Sequence, residues 1–124
     1  MEALLLIAHG SRRQQSNQEV TELADQLRNA CNANYQIVHA GFLELASPSI
    51  GEGISLCVND GASRVTVLPY FLNSGRHVVE DIPEIVGEAK IQHPDVDIVV
   101  APHLGASGLM VDLLIDSARS ATSA

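Results

Sequence analysis

Apolar residues fall along this chain in two alternating rhythms. Short runs that are almost wholly apolar, at residues 3–8, 65–68 and 96–101, have the character of strands buried on both faces of a sheet. Residues 35–42 read as a further strand. Between these runs the spacing switches to that of amphipathic helices. Val20, Leu23, Ala24, Leu27 and Cys31 share one helical face, and Ile50, Ile54, Cys57 and Val58 share a second. Ile82, Ile85, Val86 and Ala89 make a third stripe, and Met110, Leu113, Leu114 and Ala118 a fourth.

Local signals punctuate the pattern. Ser16 and Glu19 have the spacing of a capping box, which predicts the start of the first helix there. Ser47 and Pro48 predict the start of the second, and Asn59, Asp60 and Gly61 its end. The third helix is expected to begin between Val78 and Glu84, with Asp81 as its N-cap, and to close at His93 and Pro94. A Ser/Ala-rich tail follows the fourth.

The order β-α-β-α-β-α-β-α predicts a three-layer α/β/α lobe with a four-stranded parallel sheet, one domain over residues 1–124. Right-handed crossovers favour strand order 2-1-3-4. In such a sheet, ligands bind beyond the carboxyl ends of the strands where the order reverses, here between strands one and three. His9 follows the first of these strands and His77 lies in the loop after the second, so topology directs both to one crevice. Imidazole both ligates borderline divalent ions and accepts protons near neutral pH. Of the other histidines, His39 reads as structural, His93 as a cation at a helix end, and His103, after strand four, as a loop residue with the crevice border as its alternative place.

Composition narrows the function classes. Hydrophobic residues make up 46% and charged residues 18%, a globular balance, and the net charge of -8 argues against a nucleic-acid partner. No apolar run is long enough to span a bilayer, and Glu2 stands where a signal peptide carries basic residues, so a cytoplasmic protein without a membrane partner is expected. Cys31 and Cys57 match no metal-ligand spacing and read as buried free thiols in helices.

Two stretches carry more. Ala8-His9-Gly10-Ser11-Arg12 after an apolar strand, and Pro69-Tyr70-Phe71-Leu72-Asn73-Ser74-Gly75-Arg76-His77 running on to Asp81-Ile82-Pro83, resemble the signatures of the small sirohydrochlorin chelatases of the class II chelatase superfamily. Phe42-Leu43-Glu44 with Pro48 is similar to a third signature, and the resemblance covers essentially the whole chain. It implies an ATP-independent lyase inserting Co²⁺, Fe²⁺ or Ni²⁺ into sirohydrochlorin, for cobalamin or sirohaem, with no cofactor beyond the ion that is itself a substrate. It also implies a homodimer, two copies supplying the cleft of the two-lobed members. Carried onto this chain, His9 and His77 are metal ligands and catalytic bases. Glu44, Leu72, Asn73, Ser74, Gly75 and Arg76 contact the tetrapyrrole.

Insertion removes two ring N–H protons while the ion sheds water, chemistry that suits imidazole. Sirohydrochlorin is a polycarboxylate, so an acidic host is unexpected. Three of the seven basic residues, Arg12, Arg13 and Arg76, lie in the two histidine loops and offer a local rim for carboxylate arms. Glu80 and Glu84 follow His77 and offer a further route for hydrated metal. Histidine phosphatases also place His-Gly after a first strand, but Ala8 stands where they carry a phosphate-binding Arg. A non-catalytic metal carrier of the same fold is the other reading.

Overall fold

The computed structural model describes residues 1–121, with the side chain of His77 outside the description. The last residues of the Ser/Ala tail likewise lie outside the described residues. In chain order the elements are β1 (Glu2–Ala8), α1 (Gln14–Ala30), β2 (Ile37–Phe42), α2 (Ile50–Asn59), β3 (Arg64–Pro69), a π-helical turn (His77–Asp81), α3 (Ile82–Gln92), β4 (Asp97–Val100), a 3₁₀ turn (Leu104–Ala106) and α4 (Met110–Arg119). The four strands form one parallel sheet ordered β2-β1-β3-β4, as the alternation predicts.

β1 is central and apolar throughout because it is covered on both faces. Ala3, Leu5 and Ile7 point into a core with Ile50, Ile54 and Cys57 of α2 and Ile82, Val86 and Ala89 of α3. Leu4, Leu6 and Ala8 face the other way, against Val20 and Ala24 of α1 and Val38, Ala40 and Phe42 of β2. Burying side chains such as Leu5 and Ile54, both at 0% exposure, is the main stabilising contribution, about 2 kcal/mol each.

Several boundaries differ from those the sequence signals. The first helix starts at Gln14, with Arg13 at the N-cap and no side-chain cap. Ser16 and Glu19 therefore lie inside α1, and the capping box expected of them does not form. A capping box does form at α2: the Ser49 hydroxyl accepts from the Glu52 amide at 3.1 Å, and Glu52 accepts from the Ser49 amide at 2.8 Å. This moves the helix start past Pro48 to Ile50, with a cis peptide between Ser47 and Pro48. Asp81 holds the N-cap position of α3 without a capping hydrogen bond, because the chain already winds through the π-helical turn. Cys31 is not a buried helical thiol: it is the half-buried C-cap of α1, its Sγ donating to the Leu27 carbonyl at 2.7 Å. α4 forms as its periodicity predicts, yet none of its residues is buried.

The loop after β1 is closed tightly against the loop after β2. At Gly10 φ is +93°, and a Cβ there lies 1.8 Å from the Glu44 carbonyl oxygen. Only glycine fits both conditions.

Two outcomes are expected from this packing. Gly10→Ala loses about 2 kcal/mol or more, read as a lower urea midpoint at unchanged slope; an unaltered midpoint means the two loops do not meet. The second concerns Glu52, whose carboxyl the Ser49 amide and hydroxyl hold below its ordinary value of 4.5. A group depressed in the folded state stabilises above the unfolded value and loses that contribution as pH falls through the folded one. The stability gap between the parent and Glu52→Gln should therefore be full at neutral pH and shrink below about pH 4.5. Denaturation midpoints across pH 3 to 7 check it, and a constant gap rules it out.

Candidate active site

Parallel pairing gathers the carboxyl ends of β1, β2 and β3 at one edge of the sheet. The β1–β2 ladder does not stop where the strands do. The Leu43 amide donates to the Ala8 carbonyl at 2.9 Å, and the Glu44 amide to the His9 carbonyl at 3.0 Å. His9 and Glu44 are thus tied side by side through their main chains.

Their side chains also meet. His9 Nε2 lies 2.9 Å from Glu44 Oε1, with the two side chains 47% and 54% exposed. An ionised carboxylate only accepts hydrogen bonds, so this contact places a proton on Nε2. A divalent ion that displaces that proton finds a nitrogen and an oxygen donor together, within the span of bonds of about 2.1 Å. Among the described residues no group of three or more His, Cys, Asp and Glu is placed to hold a metal, so the pair is a partial donor set.

The loop carrying Arg12 is fixed from α1. The Ser11 amide donates to Asn17 Oδ1 at 2.9 Å, and Asn17 Nδ2 donates to the Ser11 carbonyl at 2.8 Å. The Arg13 amide donates to Ser11 Oγ at 3.0 Å. Arg12 itself is exposed. Beside it is a cavity of about 360 Å³ whose lining includes Ser11, Arg12, Asn17 and Leu45. Leu45 follows Glu44 in the left-handed region at φ 65°, 55% exposed, which marks a strained backbone beside the donor pair. A larger depression of about 670 Å³ runs along α1 between Gln14, Gln18 and Glu22; it holds amides and carboxylates and no imidazole.

The loop after β3 reaches the same edge. Tyr70 donates from its amide to the Ile7 carbonyl at 2.8 Å, extending the β1–β3 ladder. Gly105 then lies so close to the next turn of chain that a Cβ there falls 1.7 Å from the Leu72 carbonyl oxygen. Leu72, Asn73, Ser74, Gly75 and Arg76 are all exposed at this edge. The Gly75 carbonyl accepts from the amides of Val78 and Val79 at 3.0 and 3.1 Å, starting the π-helical turn. Arg76 Nε lies 3.7 Å from Glu80 Oε2, a long and exposed pairing. His77 is the first residue of the turn. Its main chain follows the strand adjacent to the one His9 follows, at the shared edge; the side-chain role expected of it lies outside the described residues.

The remaining titratable groups are elsewhere. His39 Nε2 pairs with Asp60 at 2.7 Å, and His93 Nε2 meets Ser55 Oγ at 3.2 Å. Both join α2 to a neighbouring element. His103 sits beyond β4, with β3 between it and β1, in a cavity of about 450 Å³ lined largely by apolar groups. Burial, with Asp60 nearby, pushes the Cys57 thiol up to about 12, so it offers no thiolate to a metal. Asn17 and Gly105 are positioning residues that the sequence does not single out. Asn17 has the look of a surface helix position, and Gly105 of an ordinary turn; their roles arise only from contacts made after folding.

The CbiX family model matches residues 3–121. A chloroplastic sirohydrochlorin ferrochelatase of Arabidopsis thaliana is 36% identical over 115 residues, covering 93% of this chain and 50% of its own length. A sirohydrochlorin cobaltochelatase of Methanocaldococcus jannaschii is 30% identical over 142 residues, covering 95% of this chain and 98% of its own. The solved sirohydrochlorin chelatase SirB of Bacillus subtilis subspecies spizizenii, in complex with cobalt, superposes with a TM-score of 0.82 at 28% identity, over 95% of this chain and 50% of that one. The chain spans about half the length of the Arabidopsis and Bacillus proteins and nearly all of the Methanocaldococcus one. No helix among the described residues is long and apolar enough to cross a membrane. With the family model matching residues 3–121, the chain belongs to the CbiX family.

Proposed function

We propose that this protein inserts a divalent metal ion into sirohydrochlorin, as a lyase that needs no ATP, with Co²⁺ as its first candidate and Fe²⁺ and Ni²⁺ as the others. The observation that carries the reading is the His9–Glu44 pair at 2.9 Å, on the edge of the sheet where the loop of residues 70–76 also arrives.

The reaction exchanges one divalent ion for two ring protons. His9 and His77 bind the ion, and Glu44 orients the His9 ring and takes up the proton that the ion displaces from Nε2. The same groups, with water, accept the two protons that leave the pyrrole nitrogens. Imidazole and carboxylate hold a borderline ion loosely enough to give it up to four ring nitrogens. Leu45, Leu72 and Tyr70, exposed at 55%, 66% and 42%, offer apolar surface to the flat face of the ring. Arg12 and Arg76 meet its carboxylate arms, the long Arg76–Glu80 pairing leaving that guanidinium available. One lobe presents only a shallow surface to so wide a ring, and a second copy completes the cleft. Two cysteines that remain thiols suit a reducing compartment such as the cytoplasm.

Mixing the protein with sirohydrochlorin and Co²⁺ or Fe²⁺ and following the absorption spectrum tests the reading. The expected rate exceeds the protein-free control, with His9→Ala and His77→Ala each lowering it about 100-fold and Glu44→Gln about 10-fold. A spectrum that changes no faster than the control, with metal still bound to the protein, favours a carrier. Arg76→Gln is expected to raise KM for the tetrapyrrole several-fold, by about 1 kcal/mol of lost binding, with kcat retained. An unchanged KM removes the carboxylate-rim role.

A further inference from the structure

The loop between β1 and α1 is anchored twice, from different directions. Its first residue, His9, is held by the chain beyond β2, where the Glu44 amide donates to the His9 carbonyl at 3.0 Å. Gly10 follows at φ +93°, pressed against the Glu44 carbonyl. Past that glycine the chain is held from α1 instead. One side chain, Asn17, takes both main-chain groups of Ser11: its Oδ1 accepts from the amide at 2.9 Å and its Nδ2 donates to the carbonyl at 2.8 Å. A short primary amide is suited to this task, because a carboxylate only accepts and a hydroxyl is a single atom. Asn17 therefore fixes where Arg12 leaves the loop, while His9 is fixed without it.

Arg12 borders a pocket whose chemistry differs from the rest of the surface. The chain carries 15 Asp and Glu against seven Lys and Arg, yet no carboxylate lines the cavity of about 360 Å³ between the start of α1 and residues 45–47. Its polar groups are the Arg12 guanidinium, the hydroxyls of Ser11 and Ser47, and the amides of Gln14 and Asn17. A smaller cavity of about 240 Å³ shares Gln14, Asn17 and Ser47 with it and again has no carboxylate in its lining. The larger depression farther along α1 does hold carboxylates, from Glu19 and Glu22. Arg28, Arg64 and Arg76 each face a carboxylate, whereas among the described residues Arg12 forms no ion pair. A cation without an internal partner, in a pocket of neutral donors, suits a carboxylate brought by a ligand.

We propose that this pocket receives one carboxylate arm of the tetrapyrrole and that Asn17 is the positioning residue that presents Arg12 to it. The proposal rests on the proposed function and divides its site in two. Metal is held on the His9 side of Gly10, and the arm on the Ser11 side, each half with its own anchor. Asn17 thus governs affinity for the tetrapyrrole and leaves affinity for the metal alone.

Two separate titrations of the full chain test this, one with sirohydrochlorin in the absence of metal and one with Co²⁺ in the absence of tetrapyrrole. Asn17→Ala is expected to weaken sirohydrochlorin binding about 10-fold and to change Co²⁺ binding less than about 2-fold. In an Arg12→Gln background the same substitution is expected to add less than about 2-fold, because its effect passes through Arg12. Asn17→Gln, which keeps both groups but moves them by a methylene, is expected to show the same split and serves if the alanine variant does not fold. Unchanged sirohydrochlorin affinity, an equal loss for both ligands, or full additivity with Arg12→Gln overturns the proposal. Neither titration needs turnover, so a parent that shows the split without inserting metal removes the chelatase reading and leaves the arm pocket standing.

Discussion

The site depends on main-chain hydrogen bonds that run past the ends of the strands. Leu43 to Ala8, Glu44 to His9 and Tyr70 to Ile7 carry the ladder of β1 outward by a further rung or two on both sides. Loops leaving a parallel sheet ordinarily diverge; here the first residues of three of them are still held at strand spacing. That constraint brings an imidazole and a carboxylate within 2.9 Å of each other although both side chains are half exposed. The core beneath supplies the stiffness, since β1 is packed on both faces and has no freedom to tilt.

The parts of the fold legible in the sequence are those set by burial. The unbroken apolar run of β1 and the helical stripes of α1, α2 and α3 lead directly to the sheet order. Signals that depend on local competition were less faithful. Ser16 and Glu19 have the same spacing as Ser49 and Glu52, but the Asn17 amide bonds to Ser11 draw the preceding loop into the start of α1, and the helix begins before Ser16 is reached. The π-helical turn at His77 has no compositional mark at all. Periodicity announces that α4 has an apolar face; it is silent on what the face meets.

At the candidate site the sequence singles out His9 and Glu44 separately and is silent on their pairing. Glu44 entered as a contact to the ring, and its bond to His9 follows from a strand register that no motif encodes. Topology alone directed His9 and the chain leading to His77 to one edge. Arg12 and Arg76 stand in the loops at this edge together with Glu44 and Glu80, while Glu22 and Glu88 lie exposed on α1 and α3.

An anchorage made of amides and carbonyls has an evolutionary corollary. The bonds that hold positions 9 and 44 together use groups that almost every amino acid possesses, so the scaffold does not care which side chains stand there. Side-chain identity at these positions can drift without any compensating change in the sheet. Gly10 is the exception, because its lack of a side chain is what lets the two loops touch. Under the proposed function, a change of metal preference needs only one or two substitutions at positions 9 and 44, while Gly10 stays fixed.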